Sequence, residues 1–190
     1  FKNTNISVIL ITLIFNMGKI NLIQPEKINL LNHPKLNEKW IQNIIAEDPS
    51  ILGLGNLILK DKERRQSKAG RLDILLQDPD SDRRYEVEIQ LGHIDESHII
   101  RTIEYWDIEK KRYPQYEHVA VIVAEDITSR FLNIINLMNG TIPLIAMQMN
   151  AYKHGNDYWL NFTTIISELR LGTEEEEIKE ISDRAYWEKR

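Results

Sequence analysis

Two spacings of apolar residues alternate along this chain. From Glu38 to Asp48 the run EKWIQNIIAED puts Trp40, Ile41, Ile44 and Ile45 on one stripe, the spacing of a helix. Asn37 stands in the N-cap position and Pro49 stops the helix. After the turn-forming GLGN at 53–56, Leu57-Ile58-Leu59 reads as a short strand. The basic, glycine-containing stretch that follows reads as a loop or exposed hairpin. From Arg71 to Gln77 the period shortens to two, with Leu72, Ile74 and Leu76 on one face and Asp73 on the other. A turn through DPDSDR at 78–83 leads to a second alternating run, with Tyr85, Val87, Ile89 and Leu91 on one face and Glu86, Glu88 and Gln90 on the other.

The helical period returns from Ser97 to Tyr113, with Ile99, Ile100, Ile103 and Trp106 as the core side and Pro114 as the end. Trp106 and Tyr113 read as core, and His93 and His98 as loop and cap-region residues. His118 to Ala124 (HVAVIVA) is continuously apolar, as befits a central strand covered on both faces. Thr128 or Ser129 caps a third helix through FLNIINLM, and 142–149 and 158–162 read as further strands. The fold class is α/β (α+β): a mixed central sheet flanked by helices, in the order αβββαβ with C-terminal additions.

Composition narrows the chemistry. The 190 residues are 42% apolar and 28% charged, which suits one domain with one sizeable core. There is no cysteine, so disulfides and thiolate zinc sites are excluded, and a reducing cytoplasm is the expected location. The five histidines are scattered, and none forms the paired helical spacing of a zinc hydrolase. The apolar run Ile6 to Phe15 falls well below the roughly 20 residues a bilayer-spanning helix needs, so no membrane is expected. Residues 1–16 read as a dispensable or upstream segment before Met17, 17–171 as the domain, and 172–190 as an acidic tail.

A net charge of −5 argues against a protein that coats nucleic acid through bulk attraction, yet the charge is polarised. Lys60, Lys62, Arg64, Arg65, Lys68 and Arg71 cluster against only Asp61 and Glu63, while Glu174 to Glu177 load the tail. Arg64, Arg65, Lys68, Arg71 and, on the second long helix, Arg101 are therefore candidate contacts to a phosphate backbone. For Arg101 the favoured role is support of the site.

If the turn takes residues 78–83, Gln77 faces Arg84, and antiparallel pairing keeps the sum of partner numbers at 161. Asp73 then falls opposite Glu88. Like charges directly opposed on one sheet face are destabilising, and a divalent cation is the natural compensation. Such an ion polarises a phosphoryl oxygen and lowers the pKa of a bound water. Gln90 shares the face of Glu88, where it can orient an attacking water or reach the metal shell. Glu47 returns to the apolar stripe of the first helix near its C-terminus, where the helix dipole disfavours a carboxylate, so a partner such as the same metal shell is expected. Glu86 reads as a solvated residue paired with Arg83 or Arg84.

The strand pair GRLDILLQDPDSDRRYEVEIQLG, preceded by the helix ending AEDPSILGL, resembles the PD-(D/E)XK nuclease superfamily. The following DESHIIRTIEYWDIEKKRYPQYEHVAVIVAEDITSRFLNIINLM resembles a bacterial subgroup assigned to it, so the likeness covers roughly residues 38 to 150. The resemblance implies a restriction-endonuclease-like core, dependence on Mg²⁺ with Mn²⁺ as a substitute, and cleavage of a nucleic-acid backbone; DNA is expected over RNA, though the sequence itself does not decide between them. By that resemblance Asp73 and Glu88 are the metal carboxylates, Gln90 takes the place of the usual lysine and Glu47 matches the helical acid. Many duplex cutters act as dimers, so a homodimer is a further expectation. Gln90 is the departure, because glutamine cannot supply the lysine's positive charge. The competing reading is a catalytically inactive binding or scaffold protein on the same fold.

Overall fold

The computed structural model describes residues 23–66 and 69–169. Residues 1–16, Lys68 and the acidic tail at 172–190 lie outside the described residues. The strands are β1 (Glu26–Ile28), β2 (Ile58–Gln66), β3 (Gly70–Gln77), β4 (Arg83–His93), β5 (Glu117–Asp126), β6 (Leu144–His154) and β7 (Asp157–Ile166). The helices are α1 (Glu38–Glu47), α2 (Glu96–Arg112) and α3 (Ser129–Asn139), with a single 3-10 turn at Pro49–Leu52. The expected order αβββαβ is present from α1 to β5, and β1 precedes it.

All seven strands join one mixed sheet. Its order is β1-β6-β5-β4-β3-β2, with β7 also paired to β6. β4, β5 and β6 run parallel, and the other pairings are antiparallel. β5 shows why its sequence is uniformly apolar. Val119, Val121 and Val123 join Ile41, Ile45, Ile74, Val87 and Ile89 in a core against α1. Ala120, Ile122 and Ala124 join Ile99, Trp106, Phe131 and Ile135 beneath α2 and α3. Helices thus cover the sheet on both faces. Among the described residues no helix is long and apolar enough to cross a membrane.

Four expectations change. The basic stretch is not a loop: β2 continues to Gln66 and pairs with β3 as far as Gln66↔Gly70. Its side chains find partners that hold it extended, above all Arg64 on the buried Glu109. Leu72 does not share the face of Ile74 and Leu76, but packs with Leu75 and Tyr105 under α2. The alternation of β3 therefore breaks at Asp73. Finally, Ile100 is 65% exposed, because the buried side of α2 runs through His98, Ile99, Thr102, Tyr105, Trp106 and Glu109. Three polar residues on that side escape a purely apolar reading. Tyr113 is only half-buried, lying beneath the guanidinium groups of Arg64 and Arg84 rather than in the apolar core.

Candidate active site

The β3–β4 ladder runs Gln77↔Arg84, Leu76↔Tyr85, Leu75↔Glu86 and Ile74↔Val87, the expected constant sum. One step further, side chains replace backbone. The Asp73 N–H donates to Glu88 Oε1 at 3.0 Å, and the Ile89 N–H donates to Asp73 Oδ2 at 2.8 Å. The strands part here, and the two carboxylates fill the gap by taking the donors the ladder leaves free. β2 is irregular at the same level: Glu63, between Lys62 (opposite Ile74) and Arg64 (opposite Leu72), has φ 51°, the left-handed region that a side chain seldom adopts. A non-glycine residue held there marks stored strain beside the gap.

Both helix layers reach the pair. From α1, Gln42 Nε2 donates to Asp73 Oδ1 at 2.9 Å. Glu38, one turn earlier on the same helix face, adds negative charge to both carboxylates. From α2, Arg101 Nε lies 3.3 Å from Glu88 Oε2. Glu88 is 1% exposed. Burial, then the charge of Asp73, pushes its pKa up to about 8, against the hydrogen bond from Asp73 N–H and the Arg101 charge. Burial likewise pushes Asp73 up to about 7. Burial also raises Glu38, against Arg101. A buried and a half-buried carboxylate, flanked by further acids and by Arg101, lack enough positive charge.

Gln90 is half-buried and engaged at both ends of its amide. Its Nε2 donates to Asp95 Oδ2 at 3.0 Å, and its Oε1 accepts from Asp95 N–H at 3.2 Å. Asp95 in turn caps α2 by accepting the His98 N–H at 2.9 Å. Gln90 thus joins the end of β4 to the start of α2. Glu47 is exposed at the far end of α1. Nine residues of helix separate it from Glu38, about 13 Å along the axis and half a turn around it. The structure brings Glu38 and Gln42, not Glu47, to the pair.

Glu86 is not solvated: it is fully buried, and His118 Nδ1 is its partner at 2.7 Å. Burial raises it to about 7, against the attraction of His118. Arg64, expected as a phosphate arm, is instead bound to Glu109 at 2.9 Å and Asp61 at 3.1 Å. Arg65 and Arg71 are exposed and directly opposed across the β2–β3 ladder. His98, read as a cap-region residue, is buried in the first turn of α2. Glu38, Gln42, Glu63 and His98 were missed; the i, i+4 spacing of Glu38 and Gln42 on α1 was the available signal.

Among the described residues no group of three or more His, Asp or Glu is gathered closely enough to hold a metal by itself. Mg²⁺ needs less, since it binds through one or two carboxylates and retains several waters. Among the described residues each oxygen of Asp73 and Glu88 has a single hydrogen-bond or ion-pair partner. Carboxylate oxygens carry further lone pairs, so acceptor capacity remains. Hard oxygen donors with too little positive charge around them fit a hard divalent cation.

No family model and no curated protein matches the chain. Among solved structures, it is similar to a repair endonuclease from Pyrococcus abyssi, with 18% identity, 62% of this chain and 48% of that one covered, and a TM-score of 0.49. It is also similar to the protein of an EndoMS–dsDNA complex, with 16% identity, 58% and 44% coverage and the same TM-score. The chain spans less than half the length of either.

Proposed function

We propose that this chain is a metal-dependent nuclease with a restriction-endonuclease-like core, hydrolysing phosphodiester bonds in DNA rather than RNA. The observation that carries the reading is the parting of β3 from β4 around two charge-deficient carboxylates, the half-buried Asp73 and the buried Glu88. These two hold Mg²⁺, with Mn²⁺ as a substitute, and the bound cation supplies a polarised phosphoryl oxygen and an acidified water. The protein's own part is to hold that site in register. Gln42 fixes Asp73, Asp73 N–H fixes Glu88, and Gln90 fixes the start of α2. Arg65 and Arg71, two like charges facing each other on an exposed hairpin, supply backbone contacts, because a phosphate relieves their repulsion.

The test is a cleavage panel over single- and double-stranded DNA and RNA, with Mg²⁺, Mn²⁺ or chelator. Metal-dependent cleavage of DNA by the wild type, lost in Asp73→Ala and Glu88→Ala, is the expected result. No cleavage of any substrate with either metal would falsify the proposal. The second reading, a nuclease-fold scaffold without chemistry, is favoured by the diversion of Gln90 to Asp95. Metal titration separates the two, since a scaffold need not bind a cation at Asp73 and Glu88. A cytoplasmic location and a homodimer belong to the same proposal, and sedimentation of the full chain with and without DNA tests the latter.

A further inference from the structure

Position 90 brings no charge to the centre, but another element does. Arg101 projects from α2, with its Nε 3.3 Å from Glu88 Oε2 and its Nη2 2.8 Å from His98 Nδ1. A guanidinium has only donors, so the His98 Nδ1 facing it accepts. The other ring nitrogen, Nε2, lies 3.3 Å from the same Nη2, but the Ile89 carbonyl oxygen 3.1 Å from it can only accept, so Nε2 carries the hydrogen and donates to that oxygen. His98 is thus read in one tautomer, as a strut from the backbone of β4 to the guanidinium of Arg101. Ile89 is also the residue whose N–H holds Asp73. One peptide neighbourhood therefore anchors the first carboxylate through its amide and the arginine through its carbonyl.

Two further observations point outward from this strut. Arg101 Nε is buried without a hydrogen-bond partner, and its approach to Glu88 is an ion pair only. The Arg101 side chain is nevertheless 43% exposed, so part of it faces solvent beside the carboxylates. A donor left unpaired on a partly exposed guanidinium is suited to a tetrahedral anion with several acceptor oxygens.

Building on the nuclease reading, we propose that Arg101 is the cationic, phosphate-binding group of this centre and that His98 is its positioning residue. The charge that a strand lysine would provide comes here from the helix layer. Gln90 takes no part in phosphate binding, and its place is the joint between β4 and α2.

The experiment uses the full chain and two affinities that do not depend on turnover. One is for Mn²⁺ alone. The other is for a short duplex with hydrolysis-resistant phosphorothioate linkages at saturating Mn²⁺. Arg101→Gln is expected to weaken duplex binding about tenfold, as loss of a charged phosphate contact does, while Mn²⁺ affinity stays within about threefold. Arg101→Lys retains most of the binding. His98→Leu, which keeps bulk but removes the acceptor, loses most of what Arg101→Gln loses. His98→Asn, whose Oδ1 replaces Nδ1 as acceptor, recovers it, and thermal melting confirms that each variant is folded. The double variant His98→Leu/Arg101→Gln is no weaker than Arg101→Gln, since His98 acts only through the arginine.

A tenfold gain in Mn²⁺ affinity in Arg101→Gln would overturn the proposal, because Arg101 would then be a built-in counter-ion standing where the metal belongs. So would unchanged duplex affinity in Arg101→Gln, or additive losses in the double variant. A wild type that binds Mn²⁺ and duplex but cleaves nothing overturns the nuclease reading alone and leaves these affinities to judge Arg101. A wild type that binds neither overturns both.

Discussion

Asp73 and Glu88 each hold the backbone of the other's strand. Glu88 Oε1 accepts the Asp73 N–H, and Asp73 Oδ2 accepts the N–H of Ile89, the residue after Glu88. The pair is both the candidate chemistry and the local seam between β3 and β4. Chemistry and stability are therefore opposed at these two residues, and the first predictions separate them.

Added Mg²⁺ or Mn²⁺ should raise the melting temperature of the wild type by several degrees, since a ligand at a hundred times its Kd adds about 2.7 kcal/mol. In Glu88→Gln the amide oxygen can still accept the Asp73 N–H, but the anionic ligand is gone. That variant should stay folded and show no metal-induced shift. Differential scanning calorimetry with a metal series reads both outcomes, and an equal shift in the variant would place the cation elsewhere.

The metal-free protein should become more stable as the pH falls from about 8 to about 6.5. Asp73, Glu86 and Glu88 have folded-state values of about 7, 7 and 8, above their ordinary values of 3.8 and 4.5. Through that interval the folded chain holds protons that the unfolded chain has released, so stability is lost as pH rises through the folded values. His118, raised by Glu86, acts in the same direction. His98 acts oppositely: burial and Arg101 lower it to about 4, so its contribution is lost as the pH falls below 6.5. Chemical denaturation in chelator at pH 8.0, 7.0 and 6.5 tests the sign. Saturating Mg²⁺ should reduce the dependence to the share of Glu86 and His118, because the cation competes with the protons on Asp73 and Glu88.

Arg65→Ala and Arg71→Ala should each weaken duplex binding and reduce the slope of log affinity against log salt by about one. Neither should lower stability, since each removes one of two like charges in direct opposition. Arg64→Ala should behave in the reverse manner, destabilising the fold by about 2 kcal/mol because the buried Glu109 keeps only Arg112 and Gln66 as partners among the described residues, while changing the salt slope little. Binding isotherms over a salt series, beside thermal melts, distinguish the three arginines.

Gly70→Ala should be among the most damaging small substitutions. Gly70 has φ +110°, and an added Cβ would stand 2.6 Å from the Tyr105 hydroxyl, which donates to the Ala69 carbonyl. Gly55→Ala, at φ +106° with nothing within 4 Å, meets the backbone strain alone. Strain of this kind costs about 1 to 3 kcal/mol, and the clash at Gly70 adds to it. Urea unfolding should therefore rank Gly70→Ala clearly below Gly55→Ala.

The period of two made the strand pair legible, and a fixed turn set its register, because one slip would have turned every side chain to the opposite face. Asp73 and Glu88 could therefore be placed together from their numbers alone. What escaped was supplied by partners distant in the chain. Glu86 looked like surface because its burial depends on His118, 32 residues later. Arg64 looked free because its carboxylate, Glu109, sits on a helix two strands onward. Glu47 looked plausible on the stripe of α1, but the bond of Gln42 to Asp73 and the charge of Glu38 on both carboxylates put the N-terminal half of the helix at the gap. Periodicity reports a face, and it does not report what the facing layer carries.

Both carboxylates sit on one continuous hairpin, Gly70 to His93, joined by a short turn. What withdraws them from water is sequentially remote, since α1 precedes the hairpin and α2 follows it. The unusual affinity of the pair for protons therefore depends on both helix layers, so the hairpin places the two carboxylates and the helices set the surroundings that hold their protons.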